Sequence, residues 1–287
     1  MLRKAISIGV LGGWLAIVSA CGPRPVEPEI DLAAHAAHHG VWLGNGVVEA
    51  FIAVEPQVRV LVLRPVGGES VLRHEQVGED DLFVGQRIAY LEPGEEASPY
   101  APCSVPGRVV GRSEPSVEVL ADVADEAGLR YGLTVTLDAD RPVVTLRHRL
   151  RNVSDRPRRI AAWSICAVPR TGRIVVPFGV GRRPFRTVTY PYWTRLPQPA
   201  LHYGLRAGLI DLDGPMAGKA IKIGVRNETG WLAWAGSEWL LISHVRYVEG
   251  AAYPEGGANV TAFQAANDQR AWAEIEQVGP LTRVEPG

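Results

Sequence analysis

The chain has 287 residues, 30 of them basic and 31 acidic, for a formal charge of −1. Charge is nearly balanced and the basic residues are spread along the chain, so no nucleic-acid partner is expected. The three cysteines form no Cys-x-x-Cys pair, and no run of oxygen ligands calls for calcium, so neither a metal nor a cofactor is expected.

At the N-terminus, Arg3 and Lys4 precede an apolar run from Ala5 to Val18, closed by Val18-Ser19-Ala20-Cys21. The run is short for a spanning helix, and small residues stand directly before a cysteine, which is the pattern of a cleaved export signal. It resembles a bacterial lipobox. Residues 1–21 are therefore expected to be a lipoprotein signal, with Cys21 acylated and holding the mature protein to a membrane. An ordinary signal peptide with an incidental cysteine is the alternative. Gly22 is not Asp, which favours the outer membrane, facing the periplasm or the cell surface. Residues 22–40, rich in Pro and then in Ala and His, read as a tether with weak helix character from Ala33 to His39. The remaining 41–287 is long enough for one large domain.

From Val41 onward the pattern predicts strands. Val47–Val54 and Val58–Leu63 flank Glu55-Pro56-Gln57 as a first hairpin, and Gly67-Gly68 breaks the chain before Ser70-Val71-Leu72. Further strands are expected at Ser116–Asp122, Leu129–Leu137, Val143–Arg151, Arg158–Val168 and Arg173–Val176, with clear turns at 138–142 and 152–157. The stretch from Gly179 to Pro199 shows no period and reads as a long loop, with Tyr190, Tyr192 and Trp193 as possible rim residues. Strands resume at Ala220–Val225, Trp231–Trp234 and Trp239–Val245. The fold class is all-β, a large antiparallel β-sandwich. Cys103 and Cys166 could be bridged in an oxidising compartment, or Cys166 could be an inert core thiol; the sequence leaves both open.

Two strands end the chain. In the second, Trp272, Glu274 and Glu276 share one face, because strand side chains alternate. Two carboxylates on one face, roughly 7 Å apart, repel unless water, a cation or a ligand answers them. A solvated outer face would satisfy them; so would a binding cleft.

Several segments together resemble the galactose mutarotase-like (aldose 1-epimerase-like) superfamily, and within it a bacterial lipoprotein group. They are Leu43-Gly44-Asn45-Gly46, Val58-Arg59-Val60-Leu61 with Gly67-Gly68, Leu150-Arg151-Asn152-Val153-Ser154 with Ala162-Trp163-Ser164, Ile221-Lys222-Ile223-Gly224, and Glu274-Ile275-Glu276 with Gly279-Pro280. The resemblance implies a supersandwich whose concave sheet face holds a sugar. It also implies that Glu276 is the base that takes the anomeric hydroxyl proton, with Glu274 lining the same cleft. The family's acid is a histidine, and the similar position here is Trp163, whose indole cannot exchange a proton as imidazole does. His148, His202 or His244 would have to replace it. Without a positioned acid the expected function is sugar binding without mutarotase activity, using Glu274, Trp163, Lys222, Arg59 and His202 around the saccharide. An epimerase or related acid/base enzyme using Glu276 is the alternative, and would require one of the two carboxylates to have a raised pKa. A structural lipoprotein with apolar side chains filling the cleft is the third reading.

Overall fold

The computed structural model describes residues 38–74, 84–94, 100, 104–177, 221–264 and 272–287, together with the strand backbones at 11–18, 30–35, 189–191, 201–203 and 207–211. In chain order the strands begin with β1 (Leu11–Val18), β2 (Ile30–His35), β3 (His38–Gly44), β4 (Val48–Glu55), β5 (Arg59–Pro65), β6 (Gln86–Leu91) and β7 (Gly107–Ser113). Next come β8 (Ser116–Ala121), β9 (Leu129–Leu137), β10 (Val143–Asn152), β11 (Arg158–Pro169), β12 (Arg173–Pro177), β13 (Thr189–Pro191) and β14 (Leu201–Tyr203). The last are β15 (Ala207–Asp211), β16 (Ile221–Val225), β17 (Trp231–Ala235), β18 (Leu240–Val245), β19 (Val260–Gln264), β20 (Trp272–Val278) and β21 (Thr282–Val284).

These strands make two antiparallel sheets. The ten-stranded sheet has the order β14-β15-β12-β17-β18-β1-β10-β9-β8-β7. The eleven-stranded sheet runs β13-β16-β19-β20-β11-β6-β5-β4-β3-β2, with β21 on β11. The all-β sandwich read from the sequence is the fold.

The core lies between the sheets. Ile88, Cys166, Ile223 and Ile275 of one sheet pack in the same cluster as Leu133, Val144, Leu146 and Leu241 of the other. The two sheets differ in what covers their outer faces. In β10 burial alternates strictly, with Arg147, Arg149 and Arg151 exposed, so that sheet turns one face to water. In β20 all seven residues are buried. The middle of the eleven-stranded sheet is thus covered on both faces, and a second cluster, Ala89, Ala161, Trp163, Ile165 and Val278, sits on its outer side.

Gly85 sets the start of β6. Its φ is +73°, and a Cβ there would meet the Val60 carbonyl oxygen at 2.5 Å. Glycine alone lets the chain turn this close to β5 and enter the sheet at Gln86.

Most expected strands stand within two residues of their predicted limits. The differences have physical reasons. Leu11–Val18, read as part of an export signal, forms β1, paired with β10 on one side and β18 on the other. Its Leu, Ile, Val and Trp content suits a strand as well as a leader. Ile30–His35 and residues 38–40 at the start of β3, expected as tether and weak helix, form strand instead, β2 pairing with β3. β6 and β7 were hidden from the alternation test, the first because both faces of its sheet are buried.

Candidate functional site

The site is built on the outer face of β6, β11, β20, β19 and β16. Register aligns two rows across them. Arg87 pairs with Ile165, Ile165 with Glu276, Glu276 with Thr261, and Thr261 with Gly224. In the next row Ala167 pairs with Glu274, Glu274 with Phe263, and Phe263 with Lys222. All share a face because each step across the ladder preserves the pleat.

On that face each carboxylate is held in the same way, by one cation and one indole on a single oxygen. Glu276 Oε2 accepts from Trp163 Nε1 at 2.8 Å and lies 3.1 Å from Lys222 Nζ. Glu274 Oε1 accepts from Arg87 Nη2 at 2.7 Å and from Trp272 Nε1 at 3.2 Å. Lys222 Nζ also stands 4.5 Å from the centre of the Trp163 ring, within cation–π range. Tyr100 tilts against Trp163, with centroids 5.7 Å apart, and lies under the Arg87 guanidinium at 5.9 Å. The repulsion expected between the two carboxylates is therefore answered by cations, not by solvent.

These groups are buried: Glu276 is 1 % exposed, Glu274 6 % and Trp163 7 %. Lys222, Phe263 and Tyr100 are half-buried and mark where water meets the cluster. Burial pushes the Glu276 carboxyl up to about 7, the Lys222 ammonium pulling it down and the Glu274 charge pushing it further up. Glu276 Oε1 is buried and has no hydrogen-bond partner among the described residues. A buried carboxylate oxygen left this way costs free energy unless something else meets it.

The predicted site residues separate into those the fold gathers and those it does not. Glu274, Glu276, Trp163 and Lys222 form one contact network. Trp163 is not a core residue between the sheets; it lies on the outer face. Arg59, expected as a ligand donor, is fully buried, and its Nη1 donates to the Val84 carbonyl at 3.2 Å. It shares the face of Arg87 because its neighbour Val60 pairs with Gln86 and both of those turn inward, but its bond to Val84 ties down backbone.

Neither His148 nor His244 supplies the missing imidazole. His148 points between the sheets, behind the site, where Nδ1 meets Tyr131 Oη at 2.9 Å and Nε2 meets Gln86 Nε2 at 3.0 Å. Burial drives its pKa down to about 3. His244 lies on β18 of the other sheet, its pKa also lowered by burial. His202 falls in β14, again on the other sheet, with its side chain outside the described residues, as are those of Tyr190, Tyr192, Trp193, Cys21 and Cys103. Cys166 is a free, buried thiol facing the core, pushed up to about 12 by burial.

Sequence reasoning missed Arg87 and Tyr100. Arg87 sits in Gln-Arg-Ile-Ala-Tyr-Leu, where apolar residues follow one another and a cation in the middle argues against a buried strand; only its partner, the carboxylate on β20, reveals its place.

A cleft of about 500 Å³ opens elsewhere, past the end of β11, between the Gly67–Val71 turn and the β17–β18 hairpin, with Trp234, Trp239, Glu69 and Glu238 in its walls. Its two carboxylates are exposed and so need no ligand to be satisfied. The buried network on the outer face is the stronger candidate.

The sequence matches no protein-family model and no curated protein. Solved structures do resemble the fold. A protein from Escherichia coli K12 described as an aldose 1-epimerase superposes with a TM-score of 0.55 at 11 % identity, covering 91 % of this chain and 95 % of that one. A galactose mutarotase-like protein from Lactobacillus casei gives 0.52 at 11 % identity, covering 90 % and 96 %. A TPR-domain containing protein from Parabacteroides distasonis gives 0.55 at 14 % identity and covers 98 % of this chain; the chain spans about half, 54 %, of that protein's length. The chain has the galactose mutarotase-like fold.

Proposed function

We propose that this protein is a carbohydrate-binding domain whose outer sheet face takes a saccharide between Trp163, Glu274, Glu276 and Lys222. The observation that carries this reading is the open oxygen of Glu276. Its Oε2 is held by two donors while Oε1, just as buried, has none. A sugar hydroxyl supplies the donor it lacks, and an indole beside it suits the apolar face of a pyranose. A purely structural sandwich has no use for two buried carboxylates paired with a buried and a half-buried cation, since apolar residues of similar size are as stable or more so. Ile165 fills part of this face, between Arg87 and Glu276, and leaves Glu276 in contact with Trp163 and Lys222.

In this reading no imidazole drives mutarotation, since Trp163 occupies the position similar to that of the family's histidine. The reading as an acid/base enzyme through Glu276 keeps one specific support: of the two carboxylates, Glu276 is raised toward neutrality by its burial.

The domain is held to a membrane, in this proposal the outer membrane facing the periplasm or cell surface, by acylation of Cys21. Cleavage before Cys21 would remove β1, so the acylated protein and the protein with β1 in its sheet are two different states.

The direct test is a glycan-array screen of the protein beside its Glu276→Gln variant. Saturable binding to a defined sugar, weakened in the variant, supports the reading. A folded protein that binds no glycan overturns it and leaves the structural role.

A further inference from the structure

We propose that the cleft between the Gly67–Val71 turn and the β17–β18 hairpin is a second binding site, which takes an aliphatic di- or polyamine between Glu69 and Glu238. The cleft shares no residue with the Trp163–Glu276 network, so it goes beyond the sugar-binding reading and does not depend on it.

The charge of the walls selects the ligand. About 500 Å³ is enclosed, within the range of small-molecule sites. The lining carries two carboxylates, Glu69 and Glu238, and no Lys, Arg, His, Asn or Gln. On the outer face, by contrast, each carboxylate is held by a cation. Neither Glu69 nor Glu238 is ion-paired among the described residues, and both are exposed. Such walls repel an anion. They offer a neutral sugar acceptors without an amide or guanidinium to donate in return. An ammonium group, all donor and positively charged, is the complement.

Both walls are tied down by their own backbone. After β5, Gly68 N donates to the Pro65 carbonyl at 2.9 Å and Val71 N to the Leu63 carbonyl at 2.8 Å. Ser70 Oγ accepts from Leu72 N at 3.2 Å, which fixes the residue next to Glu69. In the facing hairpin, Gly236 N donates to the Trp239 carbonyl at 2.9 Å and closes a four-residue turn that contains Glu238. Trp234 is locked as well: its Nε1 donates to the Thr171 carbonyl at 2.9 Å, and a Cβ on Gly236 would meet its ring at 2.5 Å. A site formed in advance loses little freedom when a ligand enters.

The two indoles decide what kind of cation fits. Trp234 is buried and Trp239 half-buried, and both line the cleft. An indole attracts an ammonium through its ring quadrupole, and methylene groups gain by leaving water against it. A hydrated metal ion makes no use of such a wall. Glu69 follows β5 of the eleven-stranded sheet, whereas Glu238 lies in the hairpin of the ten-stranded one. A ligand with an ammonium at each end of a methylene chain matches this layout, one charge for each wall and the chain for the indoles.

The test is calorimetric titration of the full chain, at low ionic strength, with putrescine, spermidine, butylamine and magnesium. Putrescine and spermidine should bind saturably at one site. Glu69→Gln and Glu238→Gln keep shape and remove one charge each at exposed positions, so the variants should fold. Each should weaken putrescine binding about fivefold, and the double variant about twenty-fivefold, as for two independent ammonium–carboxylate pairs. Butylamine, with the same chain and one ammonium, should bind wild type about as weakly as putrescine binds either single variant. Undiminished putrescine binding by the folded double variant overturns the proposal. So does a wild type that binds putrescine no better than butylamine or magnesium, or a folded wild type that binds neither polyamine. A loss in Glu276→Gln equal to that in the double variant would put the amine on the outer face, and overturns it too.

Discussion

Arg87 stands in the register row of Glu276, yet its guanidinium bonds Glu274, one row away, at 2.7 Å. Ile165 lies between Arg87 and Glu276 in their own row, whereas the shorter Ala167 flanks Glu274. Lys222 makes the opposite crossing, from the row of Glu274 to the carboxylate of Glu276. The crossed pairs tie β6 to β20 and β16 to β20, each over an intervening strand. One consequence is that Glu276 keeps an oxygen open, since Arg87 is committed elsewhere.

Removing one half of the Arg87–Glu274 pair should be costly. Both side chains are nearly inaccessible, so Arg87→Met leaves a buried carboxylate uncompensated and should cost about 3–5 kcal/mol in denaturant unfolding. Arg87→Met combined with Glu274→Leu should recover most of that loss. A double variant as unstable as the sum of the singles would mean the two residues are not coupled.

Acid should destabilise the protein through His148. Its pKa is about 3 in the fold against an ordinary 6.5, so between these values the unfolded chain binds the proton and the folded chain does not. Stability from this group is complete above about 6.5 and is lost as pH falls, by roughly 1.4 kcal/mol per pH unit across the window. Thermal melts of wild type and His148→Gln between pH 4 and 7.5 check this: the variant should show a shallower slope. Parallel slopes would place the acid sensitivity elsewhere.

How far the sequence could be read follows from which faces are wet. β10 alternates because one side meets water, and its limits were read almost to the residue. β20 was legible for a different reason: an Ile between two Glu is strict alternation even though both faces are buried. That placed Glu274, Glu276 and Trp272 on one face correctly. β6 has no such pattern, so Arg87 was invisible until long-range pairing brought it beside β11. Lys222 and Trp163 were recognisable as candidates, but not their meeting, which depends on two crossovers that periodicity does not encode. The same limit explains Arg59: a basic residue at a strand start looks like a donor until burial shows it bonded to backbone.

The N-terminus can be decided by mass. Acylation at Cys21 predicts a mature chain that begins there and carries lipid, and Cys21→Ser should then accumulate unprocessed and unlipidated. In that mature chain β1 is gone, and the strands it separates, β10 and β18, lose their shared partner. Amide exchange along Val143–His148 and Leu240–Val245 should be faster in the mature protein than in the precursor. Equal protection in both would mean that another segment fills the gap between them.

Ligand affinity should depend on pH through Glu276. Its ionised form is acceptor-only, and the open Oε1 is where a hydroxyl donates. With the carboxyl titrating near 7, a fall in pH from 8.5 to 5.5 converts the acceptor to the neutral acid, and affinity for a neutral sugar should drop through that range. The charge-assisted hydrogen bond at stake is worth about 1.5–3 kcal/mol, a loss of roughly ten- to a hundredfold. Calorimetric titrations across this range measure it. Glu276→Gln should bind weakly and with no inflection near 7, because its amide does not titrate. Trp163→Phe keeps a ring under Lys222 but removes the donor to Oε2; with that support gone the carboxylate is less stable as an anion, so the inflection should move to higher pH. An inflection unchanged in Trp163→Phe would show that the indole does not tune the acid, and one retained in Glu276→Gln would assign it to another group.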